Sequence, residues 1–307
     1  MGQEVSEEVG PSALFIDSHV HVFPPKRLAG LMRWIKRGFP GHPLSEDITQ
    51  DDIVRDLAEE GVDHFFNFVY PLKEEETVSL NEFNRDLCAK TPGAIAFAGM
   101  HPDTPDKSGY AEKLVSGGDF AGFKFHPFVQ KFDPWDPRMD DLYGFLEEAR
   151  RPVFLHTGFE DFYNKPMPAD DLHKLLKKYP RLPFVFVHMA FPELDKAYGF
   201  LVEFPDLYLD ATNVLACLRD EFRPLLSSVK GGEKIPEKLE QGLHRYQGRI
   251  LFGSDHPAGM GSLHDIYHDL KLVDLDPDAR RELQQGTARE FIDRFLPGYD
   301  WSRKLKD

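Results

Sequence analysis

Short, largely apolar runs recur along the chain, separated by longer segments in which apolar residues follow helical spacing. Eight such runs lie at residues 13–16, 65–70, 94–100, 121–125, 153–155, 184–187, 207–209 and 250–252. The runs are mostly continuous rather than strictly alternating. This pattern is typical of strands that are buried on both faces, as in parallel sheets.

Helices are predicted between most of these runs, at residues 51–60, 76–89, 138–150, 169–179, 193–204, 237–246 and 276–295. Several stop where Gly61, Pro180 or Pro205 follows, residue types that commonly end helices. Strand and helix alternate about eight times over about 280 residues, which indicates an α/β protein with a (β/α)8 barrel. A doubly wound open sheet is the alternative. It would place a glycine-rich phosphate loop after the first strand, where this sequence has none.

The chain has 307 residues with 41% hydrophobic content, enough for a sizeable core. No serine- and glycine-rich linker interrupts it, so we expect one barrel domain over residues 13–297. Residues 1–12 are acidic and poor in apolar side chains, and a frayed N-terminus is predicted there. Residues 298–307 are polar, and a loose C-terminal tail is predicted.

The formal net charge of −15 makes nucleic acid and membranes poor candidate partners, because an acidic surface repels phosphate backbones and anionic lipids. No run of 18 apolar residues is present to span a bilayer. The two cysteines, Cys88 and Cys217, match no paired-thiol metal spacing. A reducing compartment, the cytoplasm, is therefore predicted.

Histidines cluster at the ends of the apolar runs. His19 and His21 are two residues apart, so on a strand their side chains point the same way. The carboxyl ends of all barrel strands meet at one face, which carries the active site. Imidazoles and carboxylates there suit zinc, iron, manganese or nickel. The sequence predicts a metal site whose strongest members are His19, His21, His156 and Asp255, followed by His188.

These motifs together resemble the amidohydrolase superfamily, and within it the amidohydrolase-related (type 2) branch of hydrolases and decarboxylases. The matching pieces run from residue 16 to residue 257 in the family's order: IDSHVHV, GFKFHP, PVFLHTG, PFVFVHMA with LYLDATN, and RILFGSDHP. The resemblance implies a single-domain, distorted (β/α)8 TIM-like barrel of the metallo-dependent hydrolase type. It also implies a divalent metal at the barrel mouth.

By position, the resemblance implies that His19 and His21 are first-strand metal ligands and His156 the fifth-strand ligand. Asp255 would be both a ligand and the general base. His188 would be a ligand of a second metal or a catalytic group. Zinc is the first expectation, with manganese, iron or nickel as alternatives, at one or two ions per chain.

Lys124 ends the fourth run, and three interpretations of it stay open. It could be carboxylated and bridge two metals, remain a free ammonium that binds substrate and neutralises developing negative charge, or form a structural salt bridge. The chain departs from the family at Ala190, where a glycine is usual two residues after the sixth-strand histidine.

The predicted function is hydrolysis of a small, carboxylate-bearing ester, lactone or amide through a metal-activated water. Asp255 would take the proton of that water and deliver it to the leaving group. The same branch implies an alternative, a metal-dependent non-oxidative decarboxylase (carboxy-lyase) of an aromatic or dienoic acid. A non-catalytic metal-binding barrel is the second alternative. The residue types do not separate the first two.

Residues 23–49 follow the first run and contain Arg33 and Trp34, next to further basic residues. A long segment after a barrel strand often covers the mouth, so we expect a lid that binds an anionic small-molecule substrate. An ordinary solvated amphipathic helix is the alternative. His126 and Phe159 follow the fourth and fifth runs and are further candidates for substrate contact. A homo-oligomer is compatible with the sequence.

Overall fold

A computed structural model describes residues 14–305. Its strands form one parallel sheet in chain order, each strand paired with the next. They are β1 (Ile16–Val20), β2 (His64–Phe68), β3 (Ala94–Gly99), β4 (Phe120–Phe125), β5 (Val153–His156), β6 (Phe184–Val187), β7 (Tyr208–Asp210) and β8 (Ile250–Leu251).

The first and last strands meet just beyond the short β8. Val20 and His256 form a parallel bridge. The amide of Ser18 donates to the carbonyl of Phe252 at 3.0 Å, and Asp255 N donates to the His19 carbonyl at 2.7 Å. The predicted eight-stranded barrel is therefore confirmed. The same contacts bring the first and last predicted metal ligands side by side.

The α-helices within residues 14–305 are α1 (Pro25–Gly38), α2 (Gln50–Glu59), α3 (Thr77–Lys90), α4 (Lys107–Ser116), α5 (Pro127–Gln130), α6 (Asp140–Glu148), α7 (Glu160–Tyr163), α8 (Ala169–Lys178), α9 (Leu194–Glu203), α10 (Arg223–Ser228), α11 (Ile235–Tyr246), α12 (Leu263–His268), α13 (Pro277–Arg281) and α14 (Thr287–Phe295). The predicted helices are confirmed, although the last is divided by a π-helical turn at Glu282–Gly286. None of the helices in this part of the chain is both long and apolar enough to cross a membrane.

Two predictions from the hydrophobic pattern were wrong in detail. The first strand begins at Ile16, not at residue 13, and continues through Asp17 and His19. The apolar pattern stops early because these side chains are polar, yet the barrel buries them. Helix α4 was missed because it is weakly patterned: Gly109 interrupts it, and Ala111 is its one fully buried side chain.

Phenylalanine rings fill the barrel interior beneath the mouth. The Phe68 and Phe154 centroids, on β2 and β5, are 4.6 Å apart, and Phe97 on β3 lies 5.0 Å from Phe154. Phe291 of α14 covers the opposite end, 5.6 Å from Phe154. The interior is therefore a packed core with no channel through it, and chemistry is confined to the carboxyl-end face.

The C-terminal segment packs where a loose tail was predicted. Tyr299 and Trp301 lie against the closed end of the barrel. The Tyr299 hydroxyl is 3.0 Å from His64 Nδ1. Leu305 is buried, and its amide donates to the Asp63 carbonyl at 2.8 Å. Residues 1–12, predicted to be frayed, lie outside the described residues.

We expect Tyr299→Ala to lower the free energy of unfolding by about 1–2 kcal/mol, because a partly buried ring and a hydrogen bond are lost together. Tyr299→Phe keeps the ring and should cost about 1 kcal/mol or less. Urea denaturation followed by circular dichroism measures both. Identical midpoints for the wild type and Tyr299→Ala would show that the segment contributes nothing to barrel stability.

Candidate metal centre and substrate pocket

Three donor atoms converge at the seam between β1 and β8. The Nε2 atoms of His19 and His21 are 3.2 Å apart. Asp255 Oδ1 lies 3.2 Å from His21 Nε2 and 3.6 Å from His19 Nε2. All three donors lie within 4.8 Å of one another. The sequence predicted these three as ligands, and the structure brings them together.

The other nitrogen of each imidazole has a partner that sets its tautomer. His19 Nδ1 donates to Asp210 Oδ2 at 2.6 Å, and His21 Nδ1 donates to the Phe68 carbonyl at 2.9 Å. Each Nδ1 is committed to an acceptor, so Nε2 is the atom of each ring that faces the other donors. Burial, and then the charge of Lys124, hold the pKa of His19 well below its usual value. Neutral, oriented imidazoles are what metal ligation requires.

Asp255 is poised as a charged group despite its burial. Burial alone would raise the pKa of Asp255, but the close approach of the His21 and His19 rings outweighs that effect and lowers it. Asp255 Oδ2 accepts from Asn213 Nδ2 at 2.8 Å. The backbone of Asp255 has a left-handed φ of 62°, a strained conformation that proteins retain mainly at functional sites.

His188 packs beside the three donors, and His156 packs against His188. His188 Nδ1 donates to the Thr212 carbonyl at 2.7 Å, and its ring stacks on His19 with centroids 6.0 Å apart. His156 meets His188 edge-on at 4.5 Å and stacks on His126 at 3.7 Å. Burial is the main cause that lowers the pKa of each. Their ligand roles stay predictions, because the converging group does not include them.

His156 Nε2 is buried without a hydrogen-bond partner among the described residues. An unpaired polar atom in such a place is costly unless something binds to it. With two oriented imidazoles, one carboxylate and this lone acceptor nearby, the donor chemistry fits a divalent metal ion.

Lys124 lies at the end of β4, fully buried. Its Nζ is 3.4 Å from His19 Nε2, and burial lowers its pKa to about 8 against the attraction of Asp210 and Asp255. Within residues 14–305 no carboxylate oxygen lies at salt-bridge distance from Nζ. The salt-bridge interpretation is therefore not supported. Lys124 does not line the cavity, so its position does not support the predicted contact with substrate. Whether its side chain is carboxylated or a free ammonium stays open.

An open cavity of about 660 Å³ lies above the three donors. His21, His126, His156, His188 and Asp255 form its floor. The walls are apolar and aromatic, built by Leu31, Trp34, Ile35, Phe39, Tyr70, Phe159, Phe162 and Tyr163. Three of the predicted substrate contacts, His126, Trp34 and Phe159, thus lie at the cavity.

A further predicted substrate contact, Arg33, does not lie at the cavity. It is on the exposed side of α1 and outside the cavity lining. Helix α1 turns Leu31, Trp34 and Ile35 inward, and the residue before Trp34 is rotated about 100° away from that face. The prediction that Arg33 holds an anionic substrate is therefore not supported by its position. The helix does cover the mouth, as expected of a lid.

Sequence reasoning missed several residues that support the site. Asp210 ends β7 inside the LYLDATN motif, and a carboxylate at the end of an apolar run was the available signal. Asp17 accepts from the backbone amides of His19 and Ser254, each at 2.9 Å, and from the Tyr267 hydroxyl at 2.6 Å. No local pattern marks Tyr267, which reaches the seam from α12.

Two positions near the site, Gly253 and Ala190, are places where the backbone favours glycine. A Cβ on Gly253 would lie 2.6 Å from the Cβ of His19, so glycine allows the chain after β8 to approach β1. His188, Met189 and Ala190 have left-handed φ values of 61°, 53° and 50°. Such a φ costs roughly 1–2 kcal/mol outside glycine, which explains the family's usual glycine where this chain has Ala190.

The family model described as Amidohydrolase matches residues 16–294. The protein belongs to the amidohydrolase-2 family. The resemblance inferred from the five motifs is thereby confirmed, and with it a metal-dependent enzyme fold. No curated protein matches the chain.

Solved structures share the fold of this amidohydrolase at low identity. An uncharacterized TIM-barrel protein from Bordetella bronchiseptica has a TM-score of 0.68 at 16% identity, covering 91% of this chain and 99% of that chain. A 5-carboxyvanillate decarboxylase from Novosphingobium aromaticivorans, complexed with manganese and 4-hydroxy-3-methoxy-5-nitrobenzoic acid, scores 0.62 at 14%, covering 93% and 96%. A probable 2-pyrone-4,6-dicarboxylic acid hydrolase from Acinetobacter baumannii, with citric acid bound, scores 0.58 at 13%, covering 90% and 98%.

We expect one divalent ion per chain, because one group of three donors converges in the described part of the amidohydrolase. Elemental mass spectrometry on protein purified without chelator measures the ratio. Two ions per chain would contradict this expectation and would assign a second site to His156, His188 and a carboxylated Lys124.

Asp210→Asn should weaken metal affinity about 10- to 100-fold, because an amide no longer fixes the proton on His19 Nδ1. Competition with a chromophoric chelator measures the affinity. Asp195→Asn, an exposed residue paired with Lys238 on the outer surface, is the matched control and should bind metal like the wild type. Equal affinity in Asp210→Asn would remove Asp210 from the support of the site.

Proposed function

We propose that this amidohydrolase is a metal-dependent hydrolase that cleaves an ester, lactone or amide of a small molecule. The observation that carries the proposal is that two of the three converging donors, His21 and Asp255, face an open cavity. Structural metal sites are usually closed by four protein ligands, whereas catalytic sites keep a position open. This arrangement supports an enzyme over the non-catalytic barrel.

A divalent ion at His19, His21 and Asp255 would lower the pKa of water and polarise a carbonyl group. Asp255 is charged, and Asn213 holds its Oδ2, so Oδ1 stays directed at the donors. We assign to Asp255 the acceptance of the water proton and its delivery to the leaving group. The buried ammonium of Lys124 would stabilise negative charge that develops nearby.

We propose that His188 acts through Nε2, as a hydrogen-bond acceptor or as a metal ligand. Its Nδ1 proton is committed to the Thr212 carbonyl, and its pKa is lowered mainly by burial. A neutral Nε2 suits the orientation of a nucleophilic water or the ligation of a second ion. His156, with its unpaired Nε2, is proposed as an additional ligand to the first ion.

The nitrogen and oxygen donors suit both zinc and manganese. Zinc was the first expectation from the sequence, and manganese is bound in one decarboxylase with the same fold. We propose that either ion supports activity, so elemental analysis of the purified protein decides the native one.

Decarboxylation of an aromatic acid is the second candidate. It is favoured by the aromatic cavity walls and by the similarity in fold to a 5-carboxyvanillate decarboxylase. Hydrolysis is preferred because no arginine lines the cavity in the described part of the chain to receive a free carboxylate. Acid release from esters and lactones, measured with a pH indicator, supports hydrolysis. Carbon dioxide release from hydroxybenzoates supports the alternative.

A cytoplasmic location remains a prediction from cysteine usage. Cys88 and Cys217 are both buried and free, as expected in a reducing compartment. A homo-oligomer likewise remains a prediction.

Asp255→Asn should lower kcat at least about 100-fold, because the amide cannot accept the proton of the attacking water. The variant should retain metal with weaker affinity, as measured by elemental analysis. Asp220→Asn, on the exposed surface, is the control and should keep wild-type kcat. A wild-type kcat in Asp255→Asn would overturn the assignment of the base.

A further inference from the structure

We infer that the substrate has a large apolar body with no anionic group at the end away from the three donors, and that this body lies against the aromatic wall formed by α1 and α7. The inference deepens the proposed function and rests on it, because the cavity above the three donors is taken as the substrate site. Three properties of the cavity support the inference separately: its volume, its apolar lining and the charge at its edge.

The cavity is much larger than a single ring requires. A cavity of about 150 Å³ holds one benzene molecule, whereas this one has about 660 Å³. Pockets of this volume bury molecules with many non-hydrogen atoms. A monocyclic acid bound at the donors would leave most of the apolar wall in contact with water and would not gain the favourable free energy of covering it.

The walls nearest the mouth are aromatic side chains from α1 and α7 that pack on one another. Trp34 contacts Phe162 edge-on at 5.1 Å and stacks on Tyr163 at 5.9 Å. Phe39 stacks on Phe162 at 5.3 Å. Phe222, Leu225, Val229 and Met260 add to the apolar lining of the same cavity. A flat or chain-like apolar group can lie against this lining.

The charged side chains at the edge of the cavity would repel a substrate with an anionic group at its far end. The lining includes Glu160, Asp161, Asp170 and Glu193, and one cation, Lys196. The Lys196 ammonium is already shared, 3.0 Å from Glu193 and 3.6 Å from Asp170. A carboxylate at the far end of a substrate would therefore find no free cation in the described lining, and would face net negative charge.

Hydroxamic acids chelate divalent ions and allow matched probes with one head group. Octanohydroxamic acid has an apolar tail, and suberic acid monohydroxamate has the same length with a terminal carboxylate. Acetohydroxamic acid has almost no tail. On metal-replete protein, calorimetry should show octanohydroxamic acid binding at least 10-fold tighter than both others. Equal affinity for the octano and aceto compounds, or preference for the carboxylated tail, would overturn the inference.

Substitutions in the cavity lining test where the tail of the hydroxamate binds. Trp34→Ala should weaken octanohydroxamic acid at least 5-fold and leave acetohydroxamic acid unchanged. Trp301→Ala removes the same side chain at the closed end of the barrel and should change neither. Glu160→Gln should tighten suberic acid monohydroxamate at least 2-fold, a gain that misfolding cannot produce. Unchanged affinities in both Trp34→Ala and Glu160→Gln would contradict the placement against the wall formed by α1 and α7.

Turnover separates this inference from the proposed function. A metal-replete enzyme that hydrolyses short, carboxylated esters better than 4-nitrophenyl octanoate keeps the proposed function and overturns the inference. The predicted hydroxamate order without turnover of any ester, lactone or amide overturns the hydrolase and keeps the apolar ligand class. Failure of all three hydroxamates to bind would overturn the metal-anchored pocket on which the inference depends.

Discussion

The barrel depends on the burial of polar groups where its first and last strands meet. Strand β8 is two residues long, so the seam is completed by backbone hydrogen bonds beyond it and by the carboxylate of Asp17. That carboxylate accepts from two backbone amides and from Tyr267. A buried carboxylate without such partners would be strongly destabilising. The contacts that close the seam also position His19 and Asp255, so barrel closure and site formation are one event.

The buried charged groups above the phenylalanine core influence one another's pKa values. Asp210 is fully buried, Asp255 is largely buried at the floor of the cavity, and Lys124 lies close to both. Burial raises the pKa of Asp210, while His188 and Lys124 act in the opposite direction. Coulombic interactions are strong in such a low-dielectric setting. Removing either carboxylate should therefore lower the pKa of Lys124 further.

The architecture could be predicted because continuous apolar runs and helix-ending residues recur at the spacing of a (β/α)8 barrel. The ligand pair His19 and His21 could be predicted because every second side chain of a strand points the same way. The supporting contacts could not be predicted, because they depend on three-dimensional register. Asp210 on β7 meets His19 on β1, and Tyr267 reaches Asp17 from α12. Arg33 was misassigned because local charge composition does not say which face of a helix turns inward. Helix α4 was missed because Gly109 and scarce apolar residues hide its period.

The proposed metal ligands come from opposite ends of the barrel sequence, which matters for synthesis. His19 and His21 leave the ribosome with the first strand, whereas Asp255 follows the last. A chain that lacks β8 offers histidines alone, whereas a complete barrel adds the carboxylate of Asp255. The full free energy of metal binding therefore becomes available only when both ends of the barrel are in place. Metal retention in this amidohydrolase would distinguish finished molecules from incomplete ones.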